Sequence, residues 1–542
     1  MAQCDSGNYD CASPYYDGIE SCQDYDWAFG SPKNNLFLVV MGSLIMCAMA
    51  FGIGGNDVAN AWGTSVGSGA IKLRTACIIA GLCDWLGAVT LGYGVSSKIT
   101  KGVSEVDTQE CWACGCSDSF MGVYAVGMLA ALIAAATFLL LATFTAMPVS
   151  TTHAIVGGVV GVTMMGVGAD CLNWNYEGGL GGIVASWIIS PLLSGLIGSF
   201  VFICTDKLIL KSNDPLKRAL LSIPFLYALT SLILTYMILI KAGPTKHLSS
   251  SVQIGTAFAV AFAVMVVSIA FVVPNVKKNL PSISGDFSSG MTAVESVEGN
   301  GTTDDKEHLT LADGTLRETS SGERLMNGGK PIRIKTDVGL IEETAKASDL
   351  VNKTIADEEV AMRPGLKDAI FCFRYLLVFN AALESFAHGA NDTANSTAAF
   401  SAILNSYSNG LYACESKSTP WWIMGIGGLF VLVGINIIGY RVIETIGENV
   451  TAINFHRGYC IEFASTATVV IATLLELPVS TTHCQIGAVT FVGLTAFGKD
   501  KVEWRLLGQI VLSWIITIPF AAMLSAVLTA SFGFVIMSRG RD

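Results

Sequence analysis

Two short constellations occur twice in the chain, and their residue types suit ion chemistry. The first is Gly54-Gly55-Asn56-Asp57-x-x-Asn60, repeated as Gly389-Ala390-Asn391-Asp392-x-x-Asn395. Carboxylate and amide oxygens are hard ligands that suit a cation such as Na⁺. On a helix Asp57 and Asn60 share a face, as do Asp392 and Asn395. The glycines ahead of each pair predict a break in the helix that frees backbone carbonyls for the same ion. The second constellation is PVSTTH, at 148–153 and again at 478–483. Proline followed by hydroxyl residues marks a helix start. Each copy is therefore expected to begin a broken or re-entrant helix whose free N–H groups and positive dipole end face the protein interior. Ser150, Thr151 and Thr152, with Ser480, Thr481 and Thr482, add hydroxyl donors. Two such starts brought together make a donor-rich cage for a tetrahedral oxyanion.

Each motif also has a purely structural reading. Asn and Asp glue membrane helices together, and a proline kink can have its freed carbonyls capped by hydroxyls. Duplication of the whole set favours function. Other polar residues stand in apolar runs: His153 and His483 close the two PVSTTH copies, and Asp84 and Glu462 are isolated acids. His388 and Glu384 precede the second Asn-Asp pair and have no counterparts before the first.

These residues need a scaffold of membrane helices. The 542 residues are 52% hydrophobic and 14% charged, with mean hydropathy +0.55, a membrane composition. Of the 75 charged residues, 27 lie between Asn275 and Gly365, leaving too few elsewhere to coat a soluble surface. Runs of about 20 apolar residues predict about twelve spans: 36–58, 75–96, 122–143, 146–167, 179–204, 219–240, 251–273, 367–388, 421–440, 459–476, 480–497 and 505–535. No cleavable signal peptide is expected. Lys72, Arg74, Lys207, Lys211, Lys217, Arg218, Lys277 and Lys278 place their loops in the cytoplasm. Both termini are then expected outside. Eight cysteines, Cys4, Cys11, Cys22, Cys111, Cys114, Cys116, Cys171 and Cys414, fall on the outer side, where disulfides are expected. A metal site at Cys111-x-x-Cys114-x-Cys116 lacks a matching His or second pair.

The domain plan is a tail (1–35), a first membrane half (36–274), a disordered cytoplasmic loop (275–365) and a second membrane half (366–542). The halves repeat: Asp57 precedes Pro148 by 91 residues and Asp392 precedes Pro478 by 86. Seven spans separate the first motif span from its counterpart, an odd number, so the repeats are expected to be antiparallel. The fold class is an all-α polytopic membrane protein with about twelve transmembrane segments in two inverted repeats containing broken or re-entrant helices.

GGNDVANAWGTSVGSGA, HGANDTANSTAAF and the two PVSTTH segments resemble the inorganic phosphate transporter (PiT) family of sodium- or proton-coupled phosphate permeases. The stretches VGSGAIKLRTACIIAGLCDWLGAV, RVIETIGENVTAI, IEFASTATVVIA and VEWRLLGQIVLSWIITIP are similar too, so the likeness covers both membrane halves. The resemblance implies alternating-access import of phosphate with sodium bound beside it. It places sodium at Asn56, Asp57, Asn60, Asn391, Asp392 and Asn395, with Ser150 and Ser480 touching it. It places phosphate at Ser150, Thr151, Thr152, Ser480, Thr481 and Thr482, next to Asp57 and Asp392. It associates Asp84, Glu462 and His388 with transport. Asp84 stands where many animal members have Glu, and Asn395-Ser-Thr replaces Asn-Ala.

The expected function is a sodium-coupled phosphate symporter without cofactor. Proton coupling, or another oxyanion such as sulfate, is the alternative. An intramembrane hydrolase using Ser150, His153 and Asp57 is disfavoured: a His at i+3 on one helix is poorly placed to activate that serine, and no G-x-S-x-G elbow is present. The expected partners are phosphate, sodium and the lipid bilayer, in the plasma membrane, with no nucleic acid. A homodimer is compatible with the sequence.

Overall fold

A computed structural model describes residues 35–92, 99, 102–106, 109–112, 121–176, 178–242, 245, 247–280, 326–327, 330–331, 362, 364–409, 419–443, 452–475 and 479–539. Seven helices form the first half: α1 (Leu36–Gly67), α2 (Leu73–Leu91), α3 (Met121–Phe144), α4 (Thr151–Gly166), α5 (Leu180–Thr205), α6 (Pro215–Lys241) and α7 (Ser250–Val267). Six form the second: α8 (Pro364–Phe371), α9 (Arg374–Asn409), α10 (Trp421–Ile438), α11 (Phe455–Leu474), α12 (Thr481–Phe497) and α13 (Trp504–Arg539). Between the halves the described structure is a two-residue antiparallel pairing of Met326–Asn327 with Lys330–Pro331. The disorder expected for 275–365 otherwise falls outside the described residues, as does the tail 1–34. At the loop's start, helix continues through Lys278.

Among the described residues nine helical stretches are long and apolar enough to cross a membrane. The other three expected spans are α4, α11 and α12. At 16 and 17 residues, α4 and α12 are shorter than the about 20 that a hydrocarbon core needs. α11 carries Arg457 and Glu462 among its 20 residues. Large apolar side chains such as Leu196, Phe200, Phe262 and Phe271 are exposed on the outside, as lipid contact demands, while carboxylates and amides are inside. This is an integral membrane protein turned polar side inward.

The expected break at the Asn-Asp motifs does not occur. α1 runs unbroken through Gly54-Gly55-Asn56-Asp57, and α9 through Gly389-Ala390-Asn391-Asp392. Their carbonyls stay in the helical ladder, and both helices extend past the expected ends at 58 and 388. The glycines serve close crossing instead. A Cβ on Gly54 would overlap the Val431 carbonyl of α10, and one on Gly389 would overlap the Asp84 carbonyl of α2. The crossings are therefore exchanged between halves. α1 packs on α10 and α9 on α2; likewise α4 packs on α13 and α12 on α5.

α1 and α9 themselves run antiparallel. Early in α1, Gly42 faces Phe400 and Ile403 late in α9. Late in α1, Trp62 Nε1 donates to Ser385 Oγ early in α9, at 2.7 Å. A disulfide, Cys111–Cys171, ties the α2–α3 connection to the α4–α5 connection, reinforced by the Ser104–Leu172 bridge. α3 thus leaves from, and α4 returns to, one side of the molecule. The other cysteines expected outside lie beyond the described residues, and the seven free cysteines are Cys47, Cys77, Cys83, Cys204, Cys372, Cys460 and Cys484.

Gly389→Leu forces α9 off the α2 backbone and is expected to cost at least about 1–3 kcal/mol. Thermal unfolding and size-exclusion profiles in detergent should show it. Gly255→Leu, where the added Cβ meets nothing within 4 Å, should leave both unchanged.

Candidate functional site

Both PVSTTH copies begin helices, as expected. Ser150 is the N-cap of α4, its Oγ accepting from His153 N at 3.2 Å; Ser480 is the N-cap of α12, accepting from His483 N at 3.3 Å. The first N–H groups of each helix have no intrahelical acceptor. The two starts converge: Thr152 Oγ1 donates to the Val479 carbonyl (3.4 Å), and Thr482 Oγ1 donates to the Val149 carbonyl (3.2 Å). Each copy completes the other.

The asparagines are exchanged in the same way. Asn60 Nδ2 donates to Thr481 Oγ1 and Thr482 Oγ1, at 3.2 and 3.0 Å. Asn395 Nδ2 donates to Thr151 Oγ1 and Thr152 Oγ1, at 3.0 and 3.3 Å. Asn56 and Asn391 anchor the segments that enter α4 and α12. Asn56 Nδ2 donates to the Met147 carbonyl (2.9 Å) and its Oδ1 accepts from Val149 N (3.0 Å). Asn391 Nδ2 reaches the Val479 carbonyl at 3.4 Å. Asn60 spends its N–H groups on threonines, and Asn395 on threonines and, at 3.3 Å, on Asp392 Oδ1. Their carbonyl oxygens, of which Asn60 Oδ1 has no hydrogen-bond partner among the described residues, are left for other use.

Asp57 and Asp392 meet around His388. His388 Nε2 stands 2.8 Å from Asp392 Oδ2 and 3.8 Å from Asp57 Oδ2, while Nδ1 lies 2.9 Å from Asp84 Oδ1. One oxygen each of Asp57 and Asp392 and one ring nitrogen of His388 lie within 4.8 Å of one another, all buried. Asp392 is well supported, accepting from Thr481 Oγ1 at 2.7 Å and from Asn391 Nδ2 at 3.0 Å. Asp57 is not: its oxygens find no hydrogen bond of good geometry among the described residues. Two carboxylates beside helix N-termini and hydroxyls can hold cations and, with the cations in place, an anion next to them.

Of the three residues linked to transport by resemblance, Asp84 and His388 join this cluster and Glu462 does not. Glu462 accepts from Thr64 Oγ1 and, at 3.2 Å, from Gln485 Nε2. It faces Glu384, and its Oε2 has no hydrogen-bond partner among the described residues. The contact between His153 and His483 was not foreseen. Their rings meet edge to face at 4.5 Å, and each packs against a tryptophan, Trp187 at 3.9 Å and Trp514 at 3.8 Å. The acceptors are again exchanged: His153 Nδ1 faces the Trp514 carbonyl and His483 Nδ1 the Trp187 carbonyl. The repeated Ser-Trp-Ile-Ile at 186–189 and 513–516 was the available signal.

The chain matches a model of the phosphate transporter family over residues 53–525. It is 32% identical over 487 residues to inorganic phosphate transporter 2-1, chloroplastic, of Arabidopsis thaliana, covering 89% of this chain and 70% of that one. It is 27% identical over 641 residues to sodium-dependent phosphate transporter 1-A of Danio rerio, covering 93% and 96%. Its fold is similar to a solved structure titled "The sodium-dependent phosphate transporter", with TM-score 0.69 and 28% identity, over 92% of this chain and 100% of that one. The matched span contains both Asn-Asp pairs, both PVSTTH helix starts and the acids around His388, and the chain belongs to the phosphate transporter family.

Proposed function

We propose that the chain imports inorganic phosphate together with sodium by alternating access. The observation that carries this is the pairing of Asp57 with Asp392 beside two converging helix starts. A phosphate mono- or dianion cannot be buried in a membrane without compensating charge. The N–H groups and hydroxyls of Ser150, Thr151, Thr152, Ser480, Thr481 and Thr482 supply dipoles. They do not cancel two aspartates, which repel an anion. Sodium ions held by Asp57, Asn60, Asp392 and Asn395 reverse the sign of that field, so anion binding requires them. Asn56 and Asn391, spent on the entering segments, then position the cage. Surplus sodium charge would couple uptake to an inside-negative potential at roughly 2.3 kcal/mol per charge per 100 mV. The relatives titled sodium-dependent phosphate transporters support the coupling ion.

One observation favours proton coupling as the second reading. His388, once protonated, is itself a cation among Asp57, Asp84 and Asp392. Radiolabelled phosphate uptake into proteoliposomes separates the two: an inward sodium gradient alone should drive it. Uptake driven by protons alone would replace the sodium sites with His388 and its carboxylates. Competition that favours sulfate over phosphate would overturn the substrate.

Asp57→Asn and Asp392→Asn should each lower sodium-driven uptake at least about tenfold at unchanged membrane abundance, since interactions of charged groups are worth about 1.5–3 kcal/mol. Asn60→Ala should raise the sodium concentration needed, read from the sodium dependence of initial rates.

The orientation with Cys111 and Cys171 outside and the plasma membrane as location belong to the same proposal. In Cys111→Ser, a membrane-impermeant maleimide added to intact cells should label Cys171; labelling only after permeabilisation would invert the topology.

A further inference from the structure

Glu384, one turn before His388 on α9, and Glu462 on α11 take their hydrogen bonds from residues outside the aspartate cluster. The two buried carboxyl groups face one another across α9 and α11, with Thr466, one turn from Glu462, reaching Glu384, and Glu384 Oε1 and Glu462 Oε2 have no hydrogen-bond partner among the described residues. Thr466 Oγ1 donates to Glu384 Oε2 at 3.3 Å, Gln485 Nε2 donates to Glu462 Oε1 at 3.2 Å, and Thr64 Oγ1 donates to the same Oε1. Gln485, fully buried with its amide turned to Glu462, leaves its own Oε1 without a partner among the described residues.

The other half shows that the scaffold does not need these polar side chains. Counting from the two Asn-Asp motifs, Glu384 aligns with Met49 and Thr64 with Ala399. Counting from the two PVSTTH segments, Glu462 aligns with Leu132, Thr466 with Ala136 and Gln485 with Ile155. Met49, Ala399, Leu132, Ala136 and Ile155 are all buried in the hydrophobic core. The same helical framework therefore packs with apolar side chains in one half and with two glutamates in the other. Breaking an apolar core with two acids is costly, and helix packing gives no reason for it.

Two facing carboxyl groups whose remaining oxygens find no donor can be joined by a hydrogen bond only if a proton lies between them. Fully ionised, they would be two adjacent buried charges, as in other carboxyl dyads. We propose that Glu384 and Glu462 form a proton-binding site of this transporter, one O–H donating to the carboxylate opposite, separate from the cluster around His388. The site takes up or releases one proton as it opens to water, leaving two carboxylates when the proton departs. The titratable groups facing it are His388, one turn along α9, and Cys484 on α12. From α1 comes the neutral Thr64.

The shared proton is independent of the transported anion; its part in the cycle rests on the phosphate reading. Infrared spectra of the full chain in nanodiscs, without phosphate, test the first. Wild type at neutral pH should show a protonated-carboxyl C=O band that shifts in D₂O. Glu384→Gln and Glu462→Gln should each abolish it, because a glutamine amide can donate to the remaining carboxylate and leave it ionised. Asp84→Asn should retain the band. A band surviving in both glutamate variants would overturn the proposal, as would a wild-type band that sodium removes, since a cation would then hold the pair. For the cycle, sodium-driven phosphate uptake is measured across pH. A single titrating site can change the rate by up to about tenfold per pH unit, and Glu384→Gln should flatten that component. Uptake whose pH profile is the same in Glu384→Gln would overturn the role in transport. Absence of phosphate uptake by wild type at every pH would instead refute the phosphate reading and leave the band assignment standing.

Discussion

Two aspartates bring one oxygen each to within 4.8 Å of one another in the interior of a membrane protein, and the rest of the architecture answers that constraint. At an effective dielectric near 20, two such charges about 5 Å apart repel by roughly 3 kcal/mol. They stay together only where cations or donors gather around them. Asp57 sits on α1 and Asp392 on α9, and donors for both must come from further helices at backbone distance. That explains the glycines. Gly54 and Gly389 each sit one turn before an aspartate, and their missing Cβ lets α10 and α2 press against the motif helices. A larger residue there would move the carboxylates apart and widen the cage.

Exchange between the halves follows from the same need. Asn60 holds the hydroxyls that open α12, and Asn395 holds those that open α4. The histidines that end each PVSTTH repeat the pattern, each facing the carbonyl of the tryptophan that packs on the other. Neither half contains a complete set, so the site exists only when the two are docked. A motion that exposes it to one side of the membrane has to loosen these bonds in pairs.

The sequence made the chemistry legible where the chemistry is local. Hydroxyls after a proline announced the starts of α4 and α12, and Ser150 and Ser480 cap them through contacts three residues away. The antiparallel course of α1 and α9 followed from counting spans, because an odd number of crossings reverses direction whatever their packing. Long-range partners were not legible. Gly54 read as a helix breaker, since a glycine inside a helix and one at a break look alike until the neighbouring backbone is known. α4, α11 and α12 read as ordinary spans because apolarity reports burial in protein as readily as contact with lipid. Glu462 and Asp84 both read as isolated acids. Only the fold shows that Asp84 meets His388 while Glu462 meets Glu384, residues distant in the chain.

The halves carry the same two motifs and differ in polarity around them. An exact repeat would place two equivalent cation sites symmetrically about the oxyanion cage. Here His388 stands where the first motif helix has Ile53. Asp84 offers its carbonyl to Gly389 in the crossing where Val431 offers its own to Gly54. The extra acid and the imidazole face each other across one crossing, α2 with α9, and not across α1 with α10. The ion field is therefore lopsided. On the reading of a sodium-coupled phosphate carrier, an anion between the two helix starts would be held symmetrically by hydroxyls and unequally by charge. On the same reading, that inequality would let the cage bind and release its anion at different ion occupancies.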